Sequence, residues 1–292
     1  MRCLGIFFLA LWVAFGVGVA ARYRSLKTKE PADWSQGVSH RLDVTSSEEG
    51  LKWLARHQEP DGRWSARCSG SCGCSPVCSG SASSTDDQEL TALCALAYMG
   101  AGYTPQNRSA YVDPIDKKTR RLGETLRKAT KWLIQAQGAD GAVGSRDETF
   151  LARHSLGALA LAQAYGSTNA VAYRSPAQRA IALLDGSQAL LGGWGLTERA
   201  CWRDPVVTAR ALLALREARG AGLEVATADL GSQPLDGRSL DDAPPALAPQ
   251  ATARDCSLGS WNGPRGRVYE TARTLVALES TCRWPAALGG AR

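Results

Sequence analysis

LKWLARHQEPDGRW, Leu51 to Trp64, returns 79 residues later as TKWLIQAQGADGAV, Thr130 to Val143. Lys52, Trp53, Leu54, Gln58, Asp61 and Gly62 fall on Lys131, Trp132, Leu133, Gln137, Asp140 and Gly141, and Val143 stands where Trp64 stood. A third copy keeps Leu183, Leu184, Gln188, Gly192 and Trp194 but has Leu191 in place of the Asp; a fourth retains Gly259, Ser260 and Trp261. Self-similarity on a fixed internal ruler marks a repeat architecture. Each copy reads as a helix that ends in a turn. Ser46 and Glu49 form a capping box that opens the first, Trp53 and Leu54 give it a buried face, and Pro60, Asp61 and Gly62 stop it. The Gly allows a positive φ, the Gln bonds the freed backbone groups of the helix end, and the Trp ring covers them. The set Gln58, Gly62, Trp64, Gln137, Gly141, Gln188, Trp194, Gly259 and Trp261 is therefore a structural clasp rather than a reaction centre.

A second helix type follows each clasp: TDDQELTALCALAYMGAG from Thr85, SLGALALAQAY from Ser155, VTARALLAL from Val207 and ETARTLVAL from Glu270. These segments are apolar on most faces and rich in Ala, as a helix surrounded by neighbours must be. They are the inner helices, and the Trp-bearing segments are the outer ones. The Ala, Leu and Gly content of the 292 residues, with few Phe and Met, suits closely packed helices, and the length allows a large core. A net charge of +6 is mild for this length, and part of it sits at Arg22, Arg24, Lys27 and Lys29, so nucleic acid is not indicated as a partner.

Residues 1–21 hold an apolar run behind Arg2, the layout of an export signal or a single membrane anchor, which places the chain at the cell envelope. Residues 22–45 read as a stalk, 46–282 as the helical domain and 283–292 as a tail. Two insertions interrupt the domain. The first, residues 67–84, carries Cys68, Cys72, Cys74 and Cys78, which either hold zinc or close two disulfides; export favours the disulfides. The second, residues 226–256, carries Pro234, Pro244, Pro245 and Pro249 where the fourth outer helix would run, and no regular helix passes through it.

The clasps, the alternation of outer and inner helices, and the phrases TALCALAYMGAGYTP and ARHSLGALALAQAYG resemble the prenyltransferase and squalene-oxidase repeat family. The resemblance covers about Ser46 to Leu278 and implies an all-α fold: an incomplete α/α toroid of about four hairpins after an N-terminal signal or anchor helix. It does not imply one reaction, since terpenoid cyclases and protein prenyltransferase subunits share the fold. The cyclases' D-x-D-D motif is matched only by Ser84-Thr85-Asp86-Asp87, which leaves Asp86 and Asp87 as weak acid candidates beside a capping role. The prenyltransferase zinc set of Asp, Cys and His is not reproduced, because Asp255 and Cys256 are adjacent and His154 precedes them. His154, at the start of an inner helix, is a weak catalytic candidate beside a hydrogen-bonded structural role; His57 reads as a surface residue. The thioester sequence of complement-like toroids is absent.

No cofactor is called for, and the reading leans away from an enzyme. It favours a non-catalytic envelope module for binding or scaffolding, with an apolar concave surface for a lipid or isoprenoid-like ligand. The alternative is an isoprenoid-processing enzyme, for which the inner helices offer only Tyr98, Tyr165 and Tyr269 as cavity aromatics. Every inner helix follows its clasp in the same sense, so their N-termini should gather at one mouth. Arg153, Asp204, Arg210, Tyr269 and Arg273 are the ligand-binding candidates there, with Arg210 and Arg273 at equivalent places to grip a carboxylate or diphosphate. Four hairpins leave an open arc whose apolar edge would take a protein partner or a second copy.

Overall fold

A computed structural model describes residues 38–66, 86–189, 192–198, 200–227, 260–261, 263 and 265–283. The chain divides into two compact units, Met1–Val44 and Thr45–Arg292, and the clasps and inner helices all belong to the second. The expected N-terminal anchor, the Cys68 to Cys78 run, Gly259 and most of the Pro-rich insertion lie outside the described residues.

The described part is mostly helical: α1 (Val38–Arg56), α2 (Asp87–Gly100), α3 (Leu122–Ala136), α4 (Phe150–Thr168), α5 (Val171–Gly186), α6 (Pro205–Gly220) and α7 (Arg267–Arg283). One short antiparallel hairpin, β1 (Ala110–Val112) with β2 (Thr119–Arg121), leads into α3, with Tyr111 opposite Arg120. The capping box at Ser46 and Glu49 does not open α1, which begins at Val38 and so takes in the last part of the expected stalk. Glu49 instead accepts a hydrogen bond from Lys52 Nζ one turn on, at 3.1 Å. A local capping signal is outweighed where the chain before it also continues as helix.

Burial separates the two helix types. From Leu90 to Gly100 every residue of α2 is buried, and α4 is nearly as enclosed, whereas α3 and α5 each bury one stripe. Ala-rich inner helices permit this because small side chains let helix backbones approach on several sides. Helix α4 packs on α2, α3, α5 and α6, and α2 also packs on α3 and α7. The fourth inner helix, α7, therefore lies along the first, α2, rather than extending the row beyond α6. Gly50 of α1 helps to admit it, since a Cβ there would fall 2.9 Å from Leu275 and 3.1 Å from the Trp261 ring.

Two tryptophans close helix ends. Trp64 Nε1 donates to Leu54 O at 2.9 Å and Trp194 Nε1 to Leu184 O at 2.7 Å, each ring closing the end of its outer helix. Gly62, Gly141 and Gly192 all adopt positive φ, between 84° and 102°. His57 is not a surface residue: it is 5% exposed, stacks on Trp53 with ring centroids 3.8 Å apart, and shares a 2.7 Å hydrogen bond with Trp53 O. The aromatic face of Trp53 gives the imidazole an apolar seat, and the helix carbonyl satisfies its polar edge.

Trp64 is fully buried, so Trp64→Ala is expected to lower stability by about 3 to 5 kcal/mol, as truncation of a buried aromatic does. Urea denaturation monitored by far-UV circular dichroism measures it; a midpoint unchanged by the substitution would contradict the role given to this ring.

Candidate functional site

The backbone N–H that follows each clasp turn must find an acceptor, because it is buried. Trp64 N donates to Thr91 Oγ1 at 3.1 Å, Trp194 N to Thr208 Oγ1 at 2.9 Å, and Trp261 N to Thr271 Oγ1 at 3.0 Å. At the second clasp the acceptor is histidine: Val143 N donates to His154 Nδ1 at 3.1 Å, and His154 Nε2 contacts Ala180 O at 3.0 Å. This geometry fixes the tautomer, with Nδ1 accepting and Nε2 donating its proton. His154 is fully buried, and burial holds its pKa down to about 4. It is a neutral strut joining three segments, and the catalytic expectation for it is not met.

These four bonds tether the first turns of α2, α4, α6 and α7, and so determine which side chains meet at their N-terminal ends. Asp86 is the N-cap of α2, accepting from Gln88 N at 2.7 Å and Glu89 N at 3.3 Å, while its second oxygen accepts from Ser145 Oγ. The helix thus starts one residue later than a cap at Thr85 would give. Asp87 faces Arg63 at 3.5 Å, and burial nevertheless raises its pKa. Asp204 caps α6 through Val207 N at 2.9 Å. Three of the acidic candidates are consequently engaged in starting helices or pairing charge.

The basic candidates divide. Arg273 is held by Glu270 on its own helix, Nε to Oε2 at 3.2 Å. Arg210, only 6% exposed, reaches across to α4 and donates to Ala152 O at 3.3 Å. Arg210 stands on α6, which packs on α4, and Arg273 on α7, which packs on α2. Arg153 donates to Ser145 O at 2.9 Å, pairs closely with Asp147, and lies 3.9 Å from Asp86. Tyr269 is buried, and Arg265 Nη1 donates to its hydroxyl at 2.5 Å with the guanidinium over the ring.

Sequence reading missed the residue at the middle of this group. Glu89, half-buried in the first turn of α2, feels the positive charges of Arg210, Arg265 and Arg153 together. Burial still wins over those three charges and pushes its carboxyl above the usual range. The signal for Glu89 was present only as one more acid in TDDQEL, where its neighbours looked equally good. Among the described residues no group of three or more His, Cys, Asp or Glu side chains is placed to hold a metal ion, and no helix is long and apolar enough to cross a membrane. Comparison of the chain with models of protein families, with curated proteins and with solved structures finds no match.

The His154 pKa sets a pH dependence. Unfolded, the imidazole takes up its proton near pH 6.5; folded, it resists until about pH 4. Its contribution is therefore complete above pH 6.5 and is lost as pH falls toward 4. His154→Thr installs the acceptor used at the other three clasps and should remove this part of the dependence. Melting temperatures of both proteins from pH 4 to 7 test it: parallel curves would refute the assignment.

Proposed function

We propose that the chain is a non-catalytic binding module, an incomplete α/α toroid at the cell envelope, in which the gathered inner-helix N-termini seat the anionic head of a lipid or isoprenoid-like ligand. The observation that carries this reading is that three guanidinium groups, Arg153, Arg210 and Arg265, act electrostatically on the half-buried carboxyl of Glu89. Arginine presents a planar fork that matches carboxylate and phosphate oxygens, and partial burial strengthens such bonds.

The second reading, an isoprenoid-processing enzyme, draws on one observation. Glu89 is a desolvated carboxyl with a raised pKa, and such a group can act as a proton donor. Against it stand three nearby cations, which favour the ionised form.

Native mass spectrometry of the purified chain against fatty acids, phospholipids and isoprenoid diphosphates tests the binding reading. Arg265→Ala, at an exposed position, and Arg210→Lys, which keeps the charge but removes the fork, are each expected to weaken binding about tenfold or more. Undiminished binding by both would reject the site, and turnover of any isoprenoid would move the assignment to the enzyme.

Glu89 supplies a separate check. Its raised pKa means that the folded state holds the proton more tightly than the unfolded one, so this group costs stability as pH rises above the ordinary value of 4.5. Glu89→Gln should raise the melting temperature at pH 7 and change it little at pH 3.5, as differential scanning calorimetry would show.

A further inference from the structure

The three asparagines of the chain are Asn107, Asn169 and Asn262, and only the first is followed two residues later by a hydroxyl, in Asn107-Arg108-Ser109. Asn-x-Ser, with x other than proline, is the acceptor sequence for an N-linked sugar. Asn169 stands before Ala170 and Val171, and its backbone accounts for it: it is the C-cap of α4 with φ 53°, a conformation asparagine tolerates better than most residues. Asn262 stands before Gly263 and Pro264. So short a motif can also match by chance, and the surroundings of Asn107 decide.

Residues 104–107 form a turn with Pro105 at its second position, closed by Asn107 N donating to Thr104 O at 3.0 Å. The carbonyl side of this turn is packed: a Cβ on Gly123, in the first turn of α3, would fall 2.3 Å from Asn107 O and 2.8 Å from Thr104 O. The flanking residues are at the surface. Gln106, Arg108, Ser109 and Ala110 are all exposed, and Asn107 is half-buried. Asn107 Oδ1 accepts from Ser109 N at 2.9 Å, an Asx turn that holds the amide and the hydroxyl-bearing residue in one tight loop. Among the described residues Asn107 Nδ2 and Ser109 Oγ make no hydrogen bond. Ser109 leads directly into β1, and the β1–β2 hairpin is pinned to α1 by Arg56 and Asp113, 3.0 Å apart. The loop is therefore a surface feature on a fixed base, with its amide nitrogen open.

We propose that Asn107 is a glycosylation site, the acceptor of an N-linked oligosaccharide supplied as a polyprenyl-diphosphate sugar during export. Asn107 Nδ2 forms the bond to the anomeric carbon of the first sugar, the bond from that carbon to the diphosphate oxygen breaks, and the polyprenyl diphosphate leaves, while Nδ2 gives up one proton. The Ser109 hydroxyl is the group by which the transferase recognises the sequence. The site rests on the envelope reading, because the sugar donor is met only on export, and it adds a side: with a sugar at Asn107 the helical domain lies away from the cytoplasm. The Asx turn alone would account for Asn107 without a sugar, and an aspartate would supply the same turn.

Translation of the full chain with pancreatic microsomes, which hold the transferase and the polyprenyl-linked sugar, should give a protease-protected product in a slower-migrating band that peptide N-glycosidase collapses. Asn107→Asp keeps the Oδ1 acceptor of the turn but not the amide nitrogen, and Ser109→Ala keeps the donating N–H but not the hydroxyl. Each should stay protected and lose the slower band entirely, and neither should move the melting temperature of the folded chain. Ser109→Thr should keep the band. A protected chain with no slower band, or a slower band that survives both variants, overturns the site and leaves the envelope reading standing. Failure of protection overturns both. In chain recovered from the cells that make it, peptide mapping after N-glycosidase should find Asn107 converted to the acid that this enzyme leaves; Asn107 unmodified throughout would equally overturn the site.

Discussion

One backbone N–H, that of the residue two past the clasp glycine, holds each clasp to its inner helix. It is buried, so leaving it without an acceptor would cost about 1 to 3 kcal/mol, and a hydroxyl or imidazole from the first turns of the inner helix supplies that acceptor. The intervening chain varies: donor and acceptor are 27 residues apart at the first clasp, 11 at the second, 14 at the third and 10 at the fourth. A constant contact across such unequal loops means that the bond, not the loop, sets where the inner helix begins. The Cys-rich insertion at the first clasp is tolerated for the same reason. It lengthens a connection whose two ends are already fixed.

From that constraint the charged group follows. Helices started from the same side by the same bond bring their N-terminal ends, with unsatisfied N–H groups and the positive end of each dipole, toward one region. Asp86 and Asp204 answer the local need as caps. Glu89 lies one turn further in, where water is scarcer, and three arginines around it do not fully offset the loss of hydration. The binding reading is placed here because guanidinium groups from three segments act on one partly buried carboxyl.

The clasps were legible because each is local: Gly, Trp and Gln sit within a few residues, and a positive φ or a closed helix end leaves a mark at fixed spacing. The alternation of outer and inner helices was legible from apolar pattern for the same reason. What stayed hidden is long in sequence. Arg56 and Asp113 form a buried pair 57 residues apart, Nη1 to Oδ2 at 3.0 Å, fastening the β1–β2 hairpin to α1, and nothing local distinguishes either residue. Asp116, whose pKa the hydrogen-bonded Arg120 draws down to about 2, extends the same network. His57 looked like a surface residue because its apolar seat is Trp53, one turn back on the helix, and polarity alone gave no sign of the stacking. The second partner of Gln58 lies 67 residues away, so the glutamine was read as serving only its own turn.

The place of the fourth inner helix depends on segments distant from it in sequence. At the first and third clasps the Trp indole N–H bonds the end of its own outer helix, ten residues back. Trp261 is buried, yet its Nε1 has no hydrogen-bond partner. A buried donor without an acceptor is a net cost, so the position of Trp261 must be favoured by apolar contact instead. Gly50 of α1 and Leu275 of α7 provide it. Trp261 and α7 are therefore held by the first helices of the domain. This packing joins sequence-distant segments, α2 with α7, and such contacts form only after the intervening chain has been ordered.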